Sequence, residues 1–335
     1  MLDLNTMDNR LENGVLEEFR LEFMDCWRRL PNKGFFLGLA AAWFALFHFL
    51  GNSTLGYDVT PSLLRWMFNI YRSGGLLESD DAFGFFMPFI VLGLFWTKRR
   101  QLLSLKLDVW WPGVFLVALG LICHVLGYMV QQPRLSVIGL LIGLYGLTGL
   151  SWGAAWLRAS AFPFFLLAFC VPLGVLVERL TLGLRMLVSQ LVVLVSHFIL
   201  AIDVERDGTV LMDATRHYQY EVAAACSGIR SLLATLALAM ILAFVSFHKP
   251  WKRLMVVASA FPLAVLGNLL RMLAIVIAAE IGGQSLGNQV HDGGPLGIYS
   301  LLPYVPAFAG LLLLEHYFGD RPGPVSTPGL KEQHA

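Results

Sequence analysis

The sequence predicts an all-α integral membrane protein. Of its 335 residues, 57% are hydrophobic and 14% are charged, whereas roughly a quarter of the residues in a soluble globular chain are charged. Apolar runs long enough to cross a bilayer core of about 30 Å recur along the chain, and Lys and Arg cluster in alternate connecting segments. We therefore expect about eight transmembrane helices, a short outer-face β-hairpin and one interfacial or re-entrant amphipathic segment.

The chain is predicted to begin with a cytoplasmic amphipathic segment, residues 1–33. Its apolar side chains recur at helical spacing at Leu16, Phe19, Phe23 and Trp27. This spacing favours a helix that lies on the membrane or on the protein. A polytopic membrane domain over residues 34–316 follows, and we expect residues 317–335 to form a disordered cytoplasmic tail.

Eight apolar runs approach the length of a spanning helix, which is about 20 residues. Their approximate bounds are 34–50, 83–96, 110–130, 137–156, 161–177, 226–247, 254–279 and 296–314. A ninth apolar run, 178–200, differs because polar residues recur in it at intervals of three, four or seven. These residues are Glu178, Thr181, Arg185, Ser189 and Ser196. Such a stripe is typical of an interfacial or cavity-facing helix, so we predict that this segment does not span the membrane.

The distribution of basic residues predicts the orientation in the membrane. If residues 178–200 do not cross, eleven Lys and Arg residues fall in the loops of one side and five in those of the other. The side rich in Lys and Arg is normally cytoplasmic, so both termini are predicted to be cytoplasmic. The outer side then carries three structured segments. They are an interfacial helix at 61–72, a hairpin of strands 202–206 and 209–212 around Asp207-Gly208, and a glycine-rich loop at 282–297.

Composition and cysteine usage exclude several classes of protein. The formal net charge of +1 lacks the basic excess typical of nucleic-acid-binding proteins, so no nucleic-acid partner is expected. The four cysteines, Cys26, Cys123, Cys170 and Cys226, lie far apart, which argues against a disulfide framework or a zinc site. We expect neither a metal nor an organic cofactor.

Cys226 is the first candidate for chemistry. It is predicted to stand at the start of a long apolar helix, with Arg230 one turn further on. The positive end of the helix dipole and a nearby guanidinium both lower the pKa of a thiol, which favours a thiolate nucleophile. The alternative is a small apolar residue that packs at a helix start.

Three residues of the following segments add to this candidate site. Asn268 and Arg271 share one face of the seventh predicted span, and a charged group at that depth usually marks function. The alternative for Arg271 is a structural pair or a side chain that reaches outward to the interface. His291 precedes the last predicted span on the outer side and can exchange protons near neutral pH. Considered alone, a loop histidine without a catalytic role is the favoured interpretation.

Three stretches together resemble the exosortase and archaeosortase family. They are Ala225-Cys226-Ser227-Gly228-Ile229-Arg230-Ser231, Asn268-Leu269-Leu270-Arg271, and His291 ahead of the last predicted span. The resemblance covers residues 163–314, which form the catalytic part. It implies a bacterial inner-membrane cysteine protease and transpeptidase that cleaves exported proteins at a C-terminal sorting signal. In the bacterial branch this signal is of the PEP-CTERM type, a Pro-Glu-Pro motif followed by a transmembrane helix and a basic cluster.

The resemblance also implies roles for individual residues. Cys226 corresponds to the nucleophile, Arg271 to the characteristic arginine and His291 to the histidine of the family. The hypothesis is that Cys226 forms a thioester with the substrate while His291 protonates the leaving amine. Arg271 either stabilises the oxyanion or binds the glutamate of the motif. The supporting candidates at flanking positions are Ser227, Arg230 and Asn268.

Two other classes of function remain open from the residues alone. A polytopic anion transporter could bind its anion at Arg271, although the chain has no inverted repeat. A non-catalytic scaffold for exopolysaccharide assembly would tolerate the change of Cys226 to Ser. The bilayer and membrane-anchored proteins with a Pro-Glu-Pro type signal are the partners that the favoured hypothesis requires.

Overall fold

The computed structural model describes residues 4–54, 60–73, 81–173, 175–213, 215, 217–221 and 229–320. The chain divides into two compact units, Met1–Leu173 and Gly174–Ala335. In the first unit the helices are α1 (Leu4–Arg29), α2 (Lys33–Phe49), α3 (Leu63–Arg72), α4 (Phe83–Thr97), α5 (Arg99–Leu103), α6 (Gly113–Met129), α7 (Pro133–Trp152) and α8 (Ala154–Leu166), the last continued by a 3-10 turn at Leu167–Cys170.

The second unit combines helices with a small sheet. Its helices are α9 (Val175–Val195, continued by a π-helical turn at Ser196–Leu200), α10 (Ile229–Ser246), α11 (Pro250–His291) and α12 (Tyr304–Phe318), with a 3-10 segment at Pro295–Leu301. Its strands are β1 (Val204–Asp207), β2 (Val210–Asp213) and β3 (Gln219–Glu221). The predicted all-α membrane fold with a small β-sheet is confirmed.

Apolar helices stand at all eight predicted spanning positions. Among the described residues, four segments are long and apolar enough to cross a membrane: Pro133–Trp152, Leu182–Leu200, Pro250–His291 and Ile298–Phe318. The pair Leu16–Arg29 and Lys33–Phe49, bent by 94°, makes a fifth if it forms one span. The remaining apolar helices have 10–17 residues. The number of eight spans therefore stays a prediction.

The predicted amphipathic helix at the N-terminus is present as α1. Its Phe19 ring lies 4.6 Å from the ring of Trp96 at the end of α4, measured between centroids. Glu22 forms ion pairs with Arg99 at 2.7 Å and with Arg100 at 3.1 Å. These contacts place α1 against a basic cluster that the charge distribution assigns to the cytoplasmic side.

A seam of glycines joins α6 to α7. A Cβ atom at Gly120 would lie 2.7 Å from the carbonyl oxygen of Gly139, and one at Gly113 would lie 2.8 Å from that of Gly146. Distances this short leave no room for a side chain, so the two backbones are in contact. Small residues at regular spacing are typical of such close helix packing in membranes.

The boundary between α7 and α8 differs from the sequence prediction. The fourth span was expected to extend to residue 156 and the fifth to cover 161–177, yet α7 ends at Trp152 and α8 starts at Ala154. Gly153 between them has φ 97°, a conformation that non-glycine residues rarely adopt. A single glycine in an apolar run gave no sign of this break.

The predicted hairpin is present and gains a third strand, and its placement on the outer side stays a prediction. Its turn lies at Gly208-Thr209, one residue later than the predicted Asp207-Gly208, because Asp207 still belongs to β1. The sheet order is β1-β2-β3, and both pairs are antiparallel. Asp207 pairs with Val210 across a turn in which Gly208 has φ 62°, as expected of a tight hairpin. After the hairpin, apolar and polar residues alternate over residues 218–222, and this stretch supplies β3.

Helix α9, the sheet and α11 share the apolar core of the second unit. Val188 and Val192 of α9 pack with Leu211 of β2 and with Met272 and Ile275 of α11, and all five are fully buried. The Leu182–Leu200 part meets the length and composition of a spanning helix. The expectation that residues 178–200 do not span rests on the polar stripe and the charge distribution and stays a prediction.

Hydrogen bonds tie the turn between α10 and α11 to the end of α12. Lys252 binds the carboxylate of Asp320 and donates to the carbonyl oxygen of Phe318 at 2.8 Å. The backbone N–H of His248 donates to Asp320 Oδ2 at 2.7 Å. The hydrogen bond from Lys252, followed by that from His248, lowers the pKa of Asp320 to about 2. The α10–α11 turn and the end of α12 therefore lie together.

Candidate functional site

A sharp reversal within α11 brings Arg271 to His291. In an unbroken helix, residues 20 positions apart are separated by about 30 Å, yet Arg271 Nη2 donates to the carbonyl oxygen of His291 at 3.2 Å. The reversal falls at Gly282 and Gly283, whose backbone is not helical, and Gly283 has φ 68°. Only glycine adopts that conformation without strain.

The structure corrects the sequence prediction for the segment that carries His291. Residues 282–297 were expected to form a glycine-rich loop, but helical structure resumes after Gly283 and continues to His291. The paired glycines turn the chain, while the residues that follow them are ordinary helix formers. His291 thus stands at the end of a short helix, here termed the return helix (residues 284–291), rather than in an open loop.

The small sheet packs against the return helix. Tyr220 of β3 is 5% exposed, and its hydroxyl donates to the carbonyl oxygen of Gln284 at 3.1 Å. A Cβ atom at Gly287 would overlap this hydroxyl. Just before β3, the hydroxyl of Tyr218 donates at 3.5 Å to Glu280, which lies on α11 ahead of the reversal. Strand β3 therefore fixes the position of the helix that ends at His291.

The His291 ring is oriented by two neighbours. Its Nδ1 lies 2.9 Å from Asp292 Oδ1. A carboxylate can only accept, so Nδ1 carries a proton in this contact. The ring of Tyr220 lies 6.1 Å from the imidazole between centroids, at an interplanar angle of 28°. The imidazole is thus held between an acceptor and an aromatic face.

The two tyrosines of this region do not exchange protons near neutral pH. Burial, and then the charge of Glu280, raises the pKa of Tyr218 to about 12. Burial raises the pKa of Tyr220 as well, with a further contribution from Asp292. Of the residue types described at this site, histidine is the one whose side chain ordinarily exchanges protons near neutral pH.

Asn268 and Arg271 present buried donors to the interior of the second unit. Asn268 is 2% exposed, and its Nδ2 has no hydrogen-bond partner among the described residues. The Nε atom of Arg271 is buried and likewise without a partner there. Buried polar groups are nearly always satisfied, so unpaired ones call for an explanation. The two side chains stand three residues apart on α11, a spacing that places them on neighbouring positions of one face.

The remaining predicted site residues lie outside the described part. Cys226 and Ser227 fall within residues 222–228, and the Arg230 side chain is not described although its backbone begins α10. The structure therefore brings together Arg271 and His291, with Asn268 on the same helix. The roles assigned to all six residues from the sequence stay predictions.

Three contributors to the site were not singled out from the sequence: Tyr220, Gln284 and Asp292. Tyr220 lies in the alternating stretch of residues 218–222, but its contact with His291 depends on the return helix. Within the part of the chain that the structure describes, no group of three or more His, Cys, Asp or Glu side chains is placed to hold a metal ion.

The fold defines the class of this protein as an α-helical membrane protein. At its site, an apolar helix carries buried donors, and one of its residues, Arg271, contacts the end of the return helix, where His291 lies. The sequence model of a family described as transmembrane exosortase (Exosortase_EpsH) matches residues 73–314. The chain therefore belongs to the transmembrane exosortase family. No curated protein matches it, and no solved structure does.

Proposed function

We propose that this protein is a membrane-embedded cysteine protease and transpeptidase that cleaves PEP-CTERM type C-terminal sorting signals of exported proteins. The observation that carries the proposal is the pair of unpaired buried donors on Asn268 and Arg271, beside the helix end that bears His291. They lie within the segment that matches the exosortase family. An acyl-transfer enzyme needs donors of this kind for the oxyanion that forms during the reaction.

The reaction proceeds through a thioester. The Cys226 thiolate attacks the carbonyl carbon of the scissile peptide, forming a carbon–sulfur bond and placing a negative charge on the oxygen. Arg271, with Asn268, donates to that oxygen. His291 gives a proton to the nitrogen as the carbon–nitrogen bond breaks, and the amine leaves. An incoming amine or water then attacks the thioester, His291 accepts its proton, and the Cys226 thiolate is released.

The electrostatics of the site suit this sequence of steps. Removing one donor to an oxyanion typically costs about 2.7–4 kcal/mol of transition-state stabilisation. Donors that are already buried need not be desolvated when the charge develops. Asp292 holds the proton of His291 at Nδ1 by accepting from it and stabilises the imidazolium form, as the orienting carboxylate does in catalytic triads.

The proposal includes a cellular setting. The protein resides in the inner (plasma) membrane of a bacterium, with both termini cytoplasmic and the site on the outer side. Its partners are membrane-anchored proteins with a Pro-Glu-Pro type signal. Attack by an amine transfers the cleaved protein to that acceptor, whereas attack by water releases it.

Co-expression with a tagged protein that carries a Pro-Glu-Pro type signal tests the proposal. The wild type should shorten the tagged protein, and Cys226→Ala should leave it at full length, as read from electrophoretic mobility and membrane retention. Cys123→Ala is the matched control, because this cysteine lies on α6 in the first unit. Processing that persists in Cys226→Ala excludes this residue as the nucleophile and returns the transporter and scaffold hypotheses.

A further inference from the structure

The outer edge of β3 is paired with a side-chain amide. The backbone N–H of Gln219 donates to Gln284 Oε1 at 2.9 Å, and the carbonyl oxygen of Gln219 accepts from Gln284 Nε2 at 3.3 Å. A carboxamide offers one acceptor and N–H donors, as a peptide group does. Gln284 therefore binds both main-chain groups of one strand residue, in the way that a residue on a neighbouring strand would.

The geometry of the sheet shows that these groups face away from β2. The carbonyl oxygen of Tyr218 accepts from the N–H of Asp213 on β2. Consecutive residues of an antiparallel strand direct their main-chain groups to opposite sides. The N–H and C=O of Gln219 consequently point to the edge of the sheet that no described strand covers, and Gln219 is exposed. This edge is a place where a further extended chain can add.

The edge lies next to the candidate site. The neighbouring residue on β3 is Tyr220, whose ring faces that of His291, and the return helix begins at Gln284 and ends at His291. Cys226 follows Gln219 by seven residues in the sequence. An extended chain bound at Gln219 thus runs beside the histidine that is assigned to proton transfer.

We propose that the outer edge of β3 binds the extended main chain of the substrate's sorting signal, and that Gln284 occupies this position until the substrate displaces it. The inference rests on the proposed function, since it supplies the recognition step of the same reaction. Addition of an extended peptide to an exposed sheet edge is a recurrent mode of recognition, in which main-chain hydrogen bonds give affinity.

The contacts of Gln284 provide for its displacement. Its Nε2 also donates to Asn288 Oδ1 at 3.0 Å, one turn along the return helix. The amide can therefore leave Gln219 while it keeps this second contact. The hydrogen bonds of this amide are exposed, so water can pair the groups that it releases when it moves.

The Pro-Glu-Pro motif of the proposed substrate suits an edge at which one residue, Gln219, offers its main-chain N–H and C=O. Proline has no N–H, so in a sheet it is tolerated where that position faces away from the partner strand. In an extended Pro-Glu-Pro segment both prolines direct their main-chain groups to one side, and the glutamate directs its N–H and C=O to the other. The glutamate residue can therefore replace the Gln284 amide with two hydrogen bonds to Gln219.

Peptide substrates with altered main chains test the inference without changing the protein. The full chain is purified into lipid nanodiscs and given synthetic peptides that contain the motif and the following apolar helix. N-methylation of the glutamate nitrogen should lower kcat/KM by about tenfold or more, because it removes one hydrogen bond and blocks close approach. N-methylation two residues before the first proline, on the outward side of the same strand, is the control and should change kcat/KM by less than about twofold.

A protein variant tests the displacement step. Gln284→Ala should lower KM by about threefold to tenfold with kcat unchanged, because the substrate no longer competes with the amide. Gln289→Ala, an exposed glutamine of the same helix, is the matched control. Equal cleavage of the N-methyl-glutamate and unmodified peptides overturns the inference, and so does a KM for Gln284→Ala that is unchanged or raised.

The outcomes separate this inference from the proposed function. If wild type cleaves the unmodified peptide and Cys226→Ala does not, the proposed function holds. The measurements on N-methylated peptides and on Gln284→Ala then test only the role of the β3 edge. If wild type leaves the unmodified peptide intact, the proposed function fails, and the inference that rests on it fails as well.

Discussion

Asn268 Nδ2 and Arg271 Nε are two of the buried polar atoms that have no hydrogen-bond partner among the described residues of the second unit. Leaving a buried amide without an acceptor costs about 1–3 kcal/mol, and Asn268 accepts this cost at 2% exposure. Arg271 donates from Nη2 to the carbonyl oxygen of His291, whereas its Nε has no partner among the described residues. Under the proposed function, the oxyanion of the substrate is the partner that these two donors lack in the described part of the chain.

Replacement of Asn268 by leucine separates a binding role from a structural one. Asn268→Leu removes the unpaired amide while keeping a side chain of similar size, so the melting temperature in detergent should be unchanged or higher. Processing of a tagged substrate should nevertheless fall by about 100-fold to 1000-fold, since the variant lacks one of the proposed donors to the oxyanion. Parallel losses of melting temperature and processing would instead indicate that the amide supports the fold.

Side-chain identity explains which parts of the site were predictable. Asn268, Arg271 and His291 are conspicuous because polar groups are rare in or beside apolar runs, and the structure brings the last two into contact. The side chains of Gln284 and Tyr220 bind main-chain groups of other residues. The return of α11 is what brings these groups within reach. Neither property is encoded in the type of residue at one position, so the sequence pointed to neither.

At the scale of elements, the return helix depends on its contact with β3. The sheet reaches this helix through Tyr220, whose hydroxyl sits where Gly287 has no side chain. The two glycines of the reversal set the direction of the helix, and the Tyr220 contact sets its distance from the sheet. The position of His291 follows from both.

A methyl group at Gly287 should loosen this contact. Gly287→Ala places a carbon atom against the Tyr220 hydroxyl and is expected to destabilise the protein by about 1–3 kcal/mol, the usual cost of overpacking. The loss is measured as a lower midpoint of thermal unfolding in detergent. Adding Tyr220→Phe removes the overlapping hydroxyl and should restore part of it.

Gly183→Ala is the control for the glycine replacement itself. Gly183 also lies in a helix, but a Cβ atom there meets nothing within 4 Å. Its replacement should be neutral or slightly stabilising. If Gly287→Ala unfolds at the same temperature as Gly183→Ala, β3 does not hold the return helix in the described way.

The helices were largely predictable, whereas two of their boundaries were not. Apolar runs identify where helices form because their length matches a bilayer. The break at Gly153 and the continuation of helix after Gly283 depend on single backbone conformations. Glycine permits a break but does not require one, so the same residue type ends α7, reverses α11 and lies inside α6.

At the scale of the whole molecule, the candidate residues belong to one unit. Asn268, Arg271 and His291, together with the sequence position of Cys226, fall within Gly174–Ala335. The family match begins earlier, at residue 73. The first unit therefore carries family features although it contributes none of the predicted catalytic residues.

Reporter fusions should establish the predicted orientation. The bonds of Lys252 to Asp320 and Phe318 place the end of α12 beside the basic α10–α11 turn, which is expected to be cytoplasmic. Green fluorescent protein fused after Asp320 should fluoresce, and alkaline phosphatase fused there should be inactive. Phosphatase inserted at Gly208 should be active.

The reverse pattern would contradict the orientation. An active phosphatase after Asp320 with an inactive one at Gly208 would mean that the whole chain is inserted in the opposite orientation or that Leu182–Leu200 crosses the membrane. Its length and composition permit this crossing. The outer placement of the β-sheet, and with it the proposed access of exported substrates, would then be wrong.

The glycine seam between α6 and α7 bears on how the protein is made. Only residues 130–132 separate these helices, and their backbones touch along the seam. A ribosome completes this hairpin before it has translated any part of the second unit, and the contacts are local in sequence, which favours rapid formation. The hairpin can therefore assemble as a preformed insertion unit during synthesis, long before Cys226 emerges.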